Sequence, residues 1–207
     1  RLTICPARVP RESMQRQIVL LVEAVDAVDF MVKQLRKGVQ IDRIQDAHSR
    51  LQFAEGEADK VMLALVKDRA MLNIEIKGLG CVPALKRQLD TFVQDYQLSY
   101  EHYIVSSFDH QQLYESLQVL PQVKRAALIE GIPLDYAQCC EPLKAYAFNT
   151  HLSFITPELL ADAARRGLKN WVYTVNHEED WRWLASLGVD GVFTDVPDRL
   201  QNFTLSA

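Results

Sequence analysis

An almost unbroken alternation of strand-like and helix-like segments constrains this chain more than any other feature. Apolar, β-rich runs fall at Leu2 to Cys5, Asp29 to Leu35, Val39 to Ile44, Met71 to Lys77, His102 to Phe108, Arg125 to Glu130, Tyr146 to Thr150, Trp171 to Asn176 and Gly191 to Asp195. Several, such as Tyr103-Ile104-Val105, are apolar without interruption, as suits strands buried on both faces of a parallel sheet. Between them the apolar spacing switches to three and four. Ile18, Leu21, Val22 and Val25 would share one face of a helix over Gln17 to Ala27. Ala58 to Lys67, Pro83 to Tyr96, Gln111 to Leu120, Pro157 to Arg166 and Glu178 to Leu187 read as further helices. Thr156-Pro157 and Asn176 stand where helices begin, and Gly167 and Gly188 where they end.

Repeated strand–helix units without a linker or a composition shift predict one α/β domain over residues 1–207. A doubly wound open sheet would carry a Gly-rich phosphate turn after an early strand, and none is present. The expected architecture is therefore a (β/α)₈ TIM barrel. Such barrels take about 250 residues, so at 207 this one is expected to be shortened. Nine strand candidates exceed the eight required, and Val39 to Ile44 is the weakest of them.

The net charge of −4, from 23 Lys and Arg against 27 Asp and Glu, argues against a general binder of nucleic acid or anionic membrane. Cys5, Cys81, Cys139 and Cys140 lack zinc spacing, and the adjacent pair is not expected to bridge. Reduced thiols in a cytoplasmic protein are the simplest reading. No apolar run is long enough to span a membrane.

In a barrel, chemistry sits at the C-terminal ends of the strands. Asn73, Glu75 and Lys77 alternate along one strand and would share its inward face. A carboxylate and an ammonium there are costly unless paired or bound. Two readings follow: an ion pair within the core layers, or a cation ligand beside a lysine placed for an anionic substrate. Other strand ends are polar as well: Ser106-Ser107-Phe108, Asn149, Tyr173 to Asn176 and Thr194-Asp195. Together they outline a polar rim with aromatic surfaces, suited to a small phosphorylated ligand. Of five scattered histidines, His110 and His177 lie just past strand ends.

Four motifs, in order and in register from about Met71 to the end, resemble those of glycerophosphodiester phosphodiesterases. They are Asn-Ile-Glu-Ile-Lys-Gly at 73–78, Val-Ser-Ser-Phe at 105–108, Trp-Val-Tyr-Thr-Val-Asn at 171–176, and Gly-Val-Asp-Gly-Val-Phe-Thr-Asp at 188–195 with Pro197-Asp198. The resemblance implies a barrel of the phospholipase C-like phosphodiesterase type. It also implies hydrolysis of glycerophosphodiesters to sn-glycerol 3-phosphate and an alcohol, with a divalent cation, Mg²⁺ or Ca²⁺. Carried over, Glu75 would be a metal ligand, and Lys77 and Arg8 would contact the phosphate. Ser107, Phe108, Tyr173 and Asn176 would line the substrate pocket. The implied partner is a small phosphodiester or glycerol phosphate, with oligomerisation left open.

The N-terminal third departs from the family's chemistry. In the stretch Ile4 to Val9, Ala7 stands where the family has a histidine and only Arg8 is kept. Val32 and Gln34 fall where two metal carboxylates are expected, and Gln45 where a second histidine is expected. A hard cation takes several oxygen ligands, and each lost proton-transfer group costs about 10²–10⁴-fold. Two readings therefore stay open. One is a metal-dependent phosphodiesterase; the other is an inactive relative that binds a phosphorylated ligand or a protein partner at the same barrel mouth.

Overall fold

The computed structural model describes residues 2–6, 19–23, 70–77, 80–97, 99–196, 199, 200 and 203. Its strands are Leu2–Pro6 (β1), Val19–Glu23 (β2), Ala70–Glu75 (β3), Tyr103–Ser107 (β4), Lys124–Ile129 (β5), Ala147–His151 (β6), Lys169–Tyr173 (β7) and Gly191–Thr194 (β8). The described helices are Val82–Tyr96 (α1), His110–Val119 (α2), Pro157–Arg165 (α3) and Glu178–Ser186 (α4). The strands close into a barrel in the order β1-β2-β8-β7-β6-β5-β4-β3.

From β3 round to β8 and on to β2 every neighbouring pair is parallel. The exception is β1, which is antiparallel to both β2 and β3. Leu2 pairs with Ile74 near the C-terminal end of β3, and Pro6 pairs with Ala70 at its start. The first strand therefore runs away from the end of the barrel where Glu75 lies. That direction differs from a ring of eight identical strand–helix units, in which every strand ends at the same mouth.

The helix expected over Gln17 to Ala27 is corrected by strand β2 at its centre. The five residues Val-Leu-Leu-Val-Glu suit a strand buried on both faces as well as a helix, and periodicity does not separate short apolar runs. Pairing with β8, from Val19↔Gly191 to Val22↔Thr194, decides the matter. The strands expected over residues 29–35 and 39–44, and the helix over 58–67, lie outside the described residues.

Alternation along each strand sorts side chains into two layers. One set, Ile104, Ala126, Ala147, Trp171 and Phe193, packs together inside the barrel. The neighbouring residues Tyr103, Val105, Ala127, Phe148, Val172 and Val192 point outward and pack under the helices. The helices meet them with residues spaced by three or four: Val82, Leu85, Leu89 and Phe92 on α1, Leu159, Leu160 and Ala163 on α3, Trp181 and Leu184 on α4. The Thr156 hydroxyl accepts from Leu159 N–H at 3.2 Å, capping α3 as its sequence predicts. Gly167 and Gly188 follow α3 and α4 at φ +76° and +78°, a conformation that favours glycine.

Between β5 and β6 the chain makes a 3₁₀ turn, Gln138–Cys140, and no α-helix. The buried carboxylate of Asp162 on α3 holds this connection. It accepts from Ala137 N–H at 3.0 Å, Arg166 Nε at 2.8 Å and Arg165 Nη2 at 2.8 Å. Arg166, followed by the weaker help of the Ala137 amide and Arg165, holds its pKa down to about 2. At the start of β5, buried Arg125 donates to the carbonyls of Leu143 at 2.8 Å, Val123 at 2.6 Å and Leu120 at 3.4 Å.

Candidate active site at the barrel mouth

The C-terminal ends of β3 to β8 gather most of the side chains singled out in the sequence. Glu75 closes β3 beside Ser106 of β4. Its side chain is 14% exposed and pairs with Lys77 Nζ at 3.3 Å, while Lys77 is 56% exposed. The pair thus sits at the rim and not deep among the core layers. Buried charge would be costly there without a partner, and Lys77 meets that need while leaving the ammonium open to solvent.

Tyr173, at the end of β7, spans the mouth. Its hydroxyl donates to the Ile129 carbonyl on β5 at 2.8 Å. Its ring meets Phe108 edge-on at 5.9 Å, His151 at 5.5 Å and Phe193 at 6.3 Å. Burial, and then the nearby charges of Glu130 and Glu75, push its phenol well above the usual range. The hydroxyl therefore stays protonated and fixed, and the ring acts as a wall. Phe108 is 49% exposed, leaving its other surface free.

Two further expected residues have structural engagements. The Ser107 hydroxyl is buried; it donates to Ile76 O at 2.8 Å and accepts from Asp109 N–H at 3.0 Å. Asn176 was expected at a helix start, but the residue preceding α4 is His177, which makes no side-chain cap. The Asn176 amide instead clamps the end of β8, accepting from Thr194 Oγ1 and Asp195 N–H at 2.9 Å and donating to Asp195 Oδ2 at 2.8 Å. Arg8 lies outside the described residues.

Sequence reasoning noted Asn73, Ser106 and Asn149 but did not select His151, which lies above them. His151 is the last residue of β6 and lies beside Tyr173 of β7 in the strand register. The signal was the alternation Ala147, Asn149, His151, and ending the strand at Thr150 concealed it. Lower on the inner face, Asn73 Oδ1, Ser106 Oγ and both polar atoms of Asn149 are buried and make no hydrogen bond to the described residues. Of the histidines noted earlier, His110 Nε2 is engaged with Leu128 O at 3.2 Å, and His177 is exposed beyond β7.

Among the described residues no group of three or more His, Cys, Asp or Glu could hold a metal. Glu75 is a single carboxylate, with at most two oxygens toward an ion that takes six or more, so these residues alone do not make a complete cation site. Among the described residues no helix is long and apolar enough to cross a membrane.

A closed ring of strands with helices packed outside it, and Glu75, Lys77, Phe108 and Tyr173 gathered where the strands β3 to β8 end, places the chain in the TIM-barrel class. Residues 23–199 match the glycerophosphoryl diester phosphodiesterase family, and the chain belongs to that family. A glycerophosphodiester phosphodiesterase of Caldanaerobacter subterraneus is 28% identical over 174 residues, covering 80% of this chain and 71% of its own. One from Bacillus altitudinis is 30% identical over 144 residues, covering 67% of this chain but only 58% of its own. In fold the chain is similar to an Oleispira antarctica phosphodiesterase solved with the product sn-glycerol-3-phosphate. There the TM-score is 0.60 at 24% identity, over 70% of this chain and 58% of that one. The FimX EAL domain of Pseudomonas aeruginosa, bound to c-di-GMP, shares the fold with TM-score 0.58 at 14% identity, over 93% of this chain and 86% of its own.

Proposed function

We propose that this protein hydrolyses glycerophosphodiesters to sn-glycerol 3-phosphate and an alcohol. The observation that carries the reading is the Glu75–Lys77 pair at the rim of β3, facing the aromatic wall of Tyr173 and Phe108, in a chain of this family. In this reading Lys77 binds the phosphate through its exposed ammonium. Glu75 is the ligand that the described residues contribute to a divalent cation, Mg²⁺ or Ca²⁺. Tyr173 and Phe108 pack against the glycerol or headgroup carbons. Ser107 and Asn176 support the site indirectly, by tying the ends of β3, β4 and β8 to their neighbours. The name of the Caldanaerobacter relative and the product held by the Oleispira structure both favour a glycerol phosphate ligand.

A second reading is favoured by a specific observation: the described donors do not complete a cation site, and Ala7, Val32, Gln34 and Gln45 stand where the family resemblance expects ligands and histidines. In that reading the barrel binds a glycerol phosphate and leaves it intact. One assay separates the two. Release of sn-glycerol 3-phosphate from glycerophosphocholine is measured with Mg²⁺, Ca²⁺ or chelator, for wild type and Glu75→Gln. Chelator-sensitive turnover that Glu75→Gln abolishes supports the enzyme. A folded wild type that binds sn-glycerol 3-phosphate without turnover establishes the binder.

A further inference from the structure

We infer that His151 holds the substrate phosphate as a neutral hydrogen-bond donor, through Nε2–H, and does not transfer a proton. This rests on the functional reading above and adds to it a residue and a role.

Among the described histidines, His151 is the one at a strand end on the inner face of the barrel. His102 lies on the turn before β4, at the far end, and its Nδ1 is engaged with Ser99 O at 3.1 Å. His110 is engaged with Leu128 O. The position of His151 follows from β6, where Ala147 and Asn149 point into the barrel and His151 is next in the alternation. Its ring is fixed on two sides, at 5.5 Å from Tyr173 and 5.9 Å from Phe154.

The chemistry follows from one hydrogen bond. Ser153 N–H donates to His151 Nδ1 at 3.2 Å, closing the 3₁₀ turn Leu152–Phe154. Nδ1 must therefore present its lone pair, and the proton of the neutral ring lies on Nε2. An imidazolium would carry a proton on Nδ1 as well, setting two donors face to face. Nε2–H makes no hydrogen bond to the described residues, and the His151 side chain is partly exposed. A phosphate oxygen is an acceptor only, so a fixed neutral donor complements it, and Lys77 supplies the positive charge. Charge and donor are separated by experiment.

Three variants separate the roles. His151→Asn keeps an oxygen that can cap Ser153 but cannot reach the place of Nε2. His151→Gln puts an amide N–H near that place and carries no charge. His151→Phe keeps the ring packing alone. The readouts are kcat/KM on glycerophosphocholine and the Kd of sn-glycerol 3-phosphate. The expected result is His151→Gln within a few-fold of wild type, with Asn and Phe reduced by about 10–100-fold, the worth of a hydrogen bond to a charged group. Loss in Gln equal to that in Phe overturns the neutral-donor role, because it requires the imidazolium. Full activity in Asn with loss in Gln assigns His151 to capping alone and overturns the proposal equally. A wild type that neither turns over nor binds these compounds refutes the functional reading, and this inference falls with it. A wild type that does, with variants in any other order, refutes the role of His151 only.

Discussion

Replacing Asp162 by Asn tests how the barrel holds the β5–β6 connection without a helix. The substitution keeps the shape of the side chain and removes its charge, leaving Arg165 and Arg166 without an anionic partner on α3. The carboxyl is held from 3.8 down to about 2 by those arginines and the Ala137 amide. A lowered folded-state pKa contributes stability that is present above the unfolded value and is lost as pH falls through the folded one. At neutral pH the contribution is about 2 kcal/mol, or about 4–8 °C in Tm for a chain of this size. Urea unfolding followed by far-UV circular dichroism, for wild type and Asp162→Asn at pH 7, 4 and 3, reads it directly. The two proteins should differ most at pH 7 and begin to converge below pH 4, where the carboxyl of the unfolded chain takes up a proton while the folded one stays ionised. Equal midpoints at pH 7, or a gap that stays constant down to pH 3, would refute the electrostatic origin.

Other expectations rest on single contacts. Arg125→Met strips donors from three carbonyls and should cost about 3 kcal/mol, measured as a lower urea midpoint. Thr156→Ala removes the cap on α3 and should cost about 1 kcal/mol in thermal unfolding, whereas Thr156→Ser should cost little. Tyr173→Phe loses the bond to Ile129 O and keeps the ring contacts. It should lower stability by about 1 kcal/mol and disturb the KM for glycerophosphocholine less than Tyr173→Ala does.

Much of the barrel from β3 onward was legible, because its strands are long apolar runs bounded by caps and glycines that signal the same element independently. Thr156 and Gly167 bracket α3 in this way. The segment around Val19–Glu23 was misread because five apolar residues fit either period, and only pairing with a strand near the other end of the chain settles it. The direction of β1 was equally hidden: a strand read alone has no sense relative to its neighbours. At the mouth, Glu75, Lys77, Phe108 and Tyr173 could be selected because strand ends collect there. Asn176 was read as a helix start and, by resemblance, as a pocket residue; its attachment to Thr194 and Asp195 was not legible because it depends on two strands meeting. His151 was lost to a strand boundary drawn one residue short, which in a period of two hides the last inward side chain.

The antiparallel first strand has a consequence for the order of assembly. Strands β3 to β8 are joined to their sequence neighbours by short excursions, so their pairings form between nearby parts of the chain. The ring is shut by two different seams, β1 on β3 and β2 on β8, and the second joins Val19 to Gly191, nearly the full length of the chain apart. Closing so long a loop carries the largest entropic cost of any pairing in the sheet. The parallel arc should therefore assemble first and the N-terminal pair should close it late, like a clasp. Native-state amide exchange would register this order, with β1 and β2 exchanging ahead of β4 to β7.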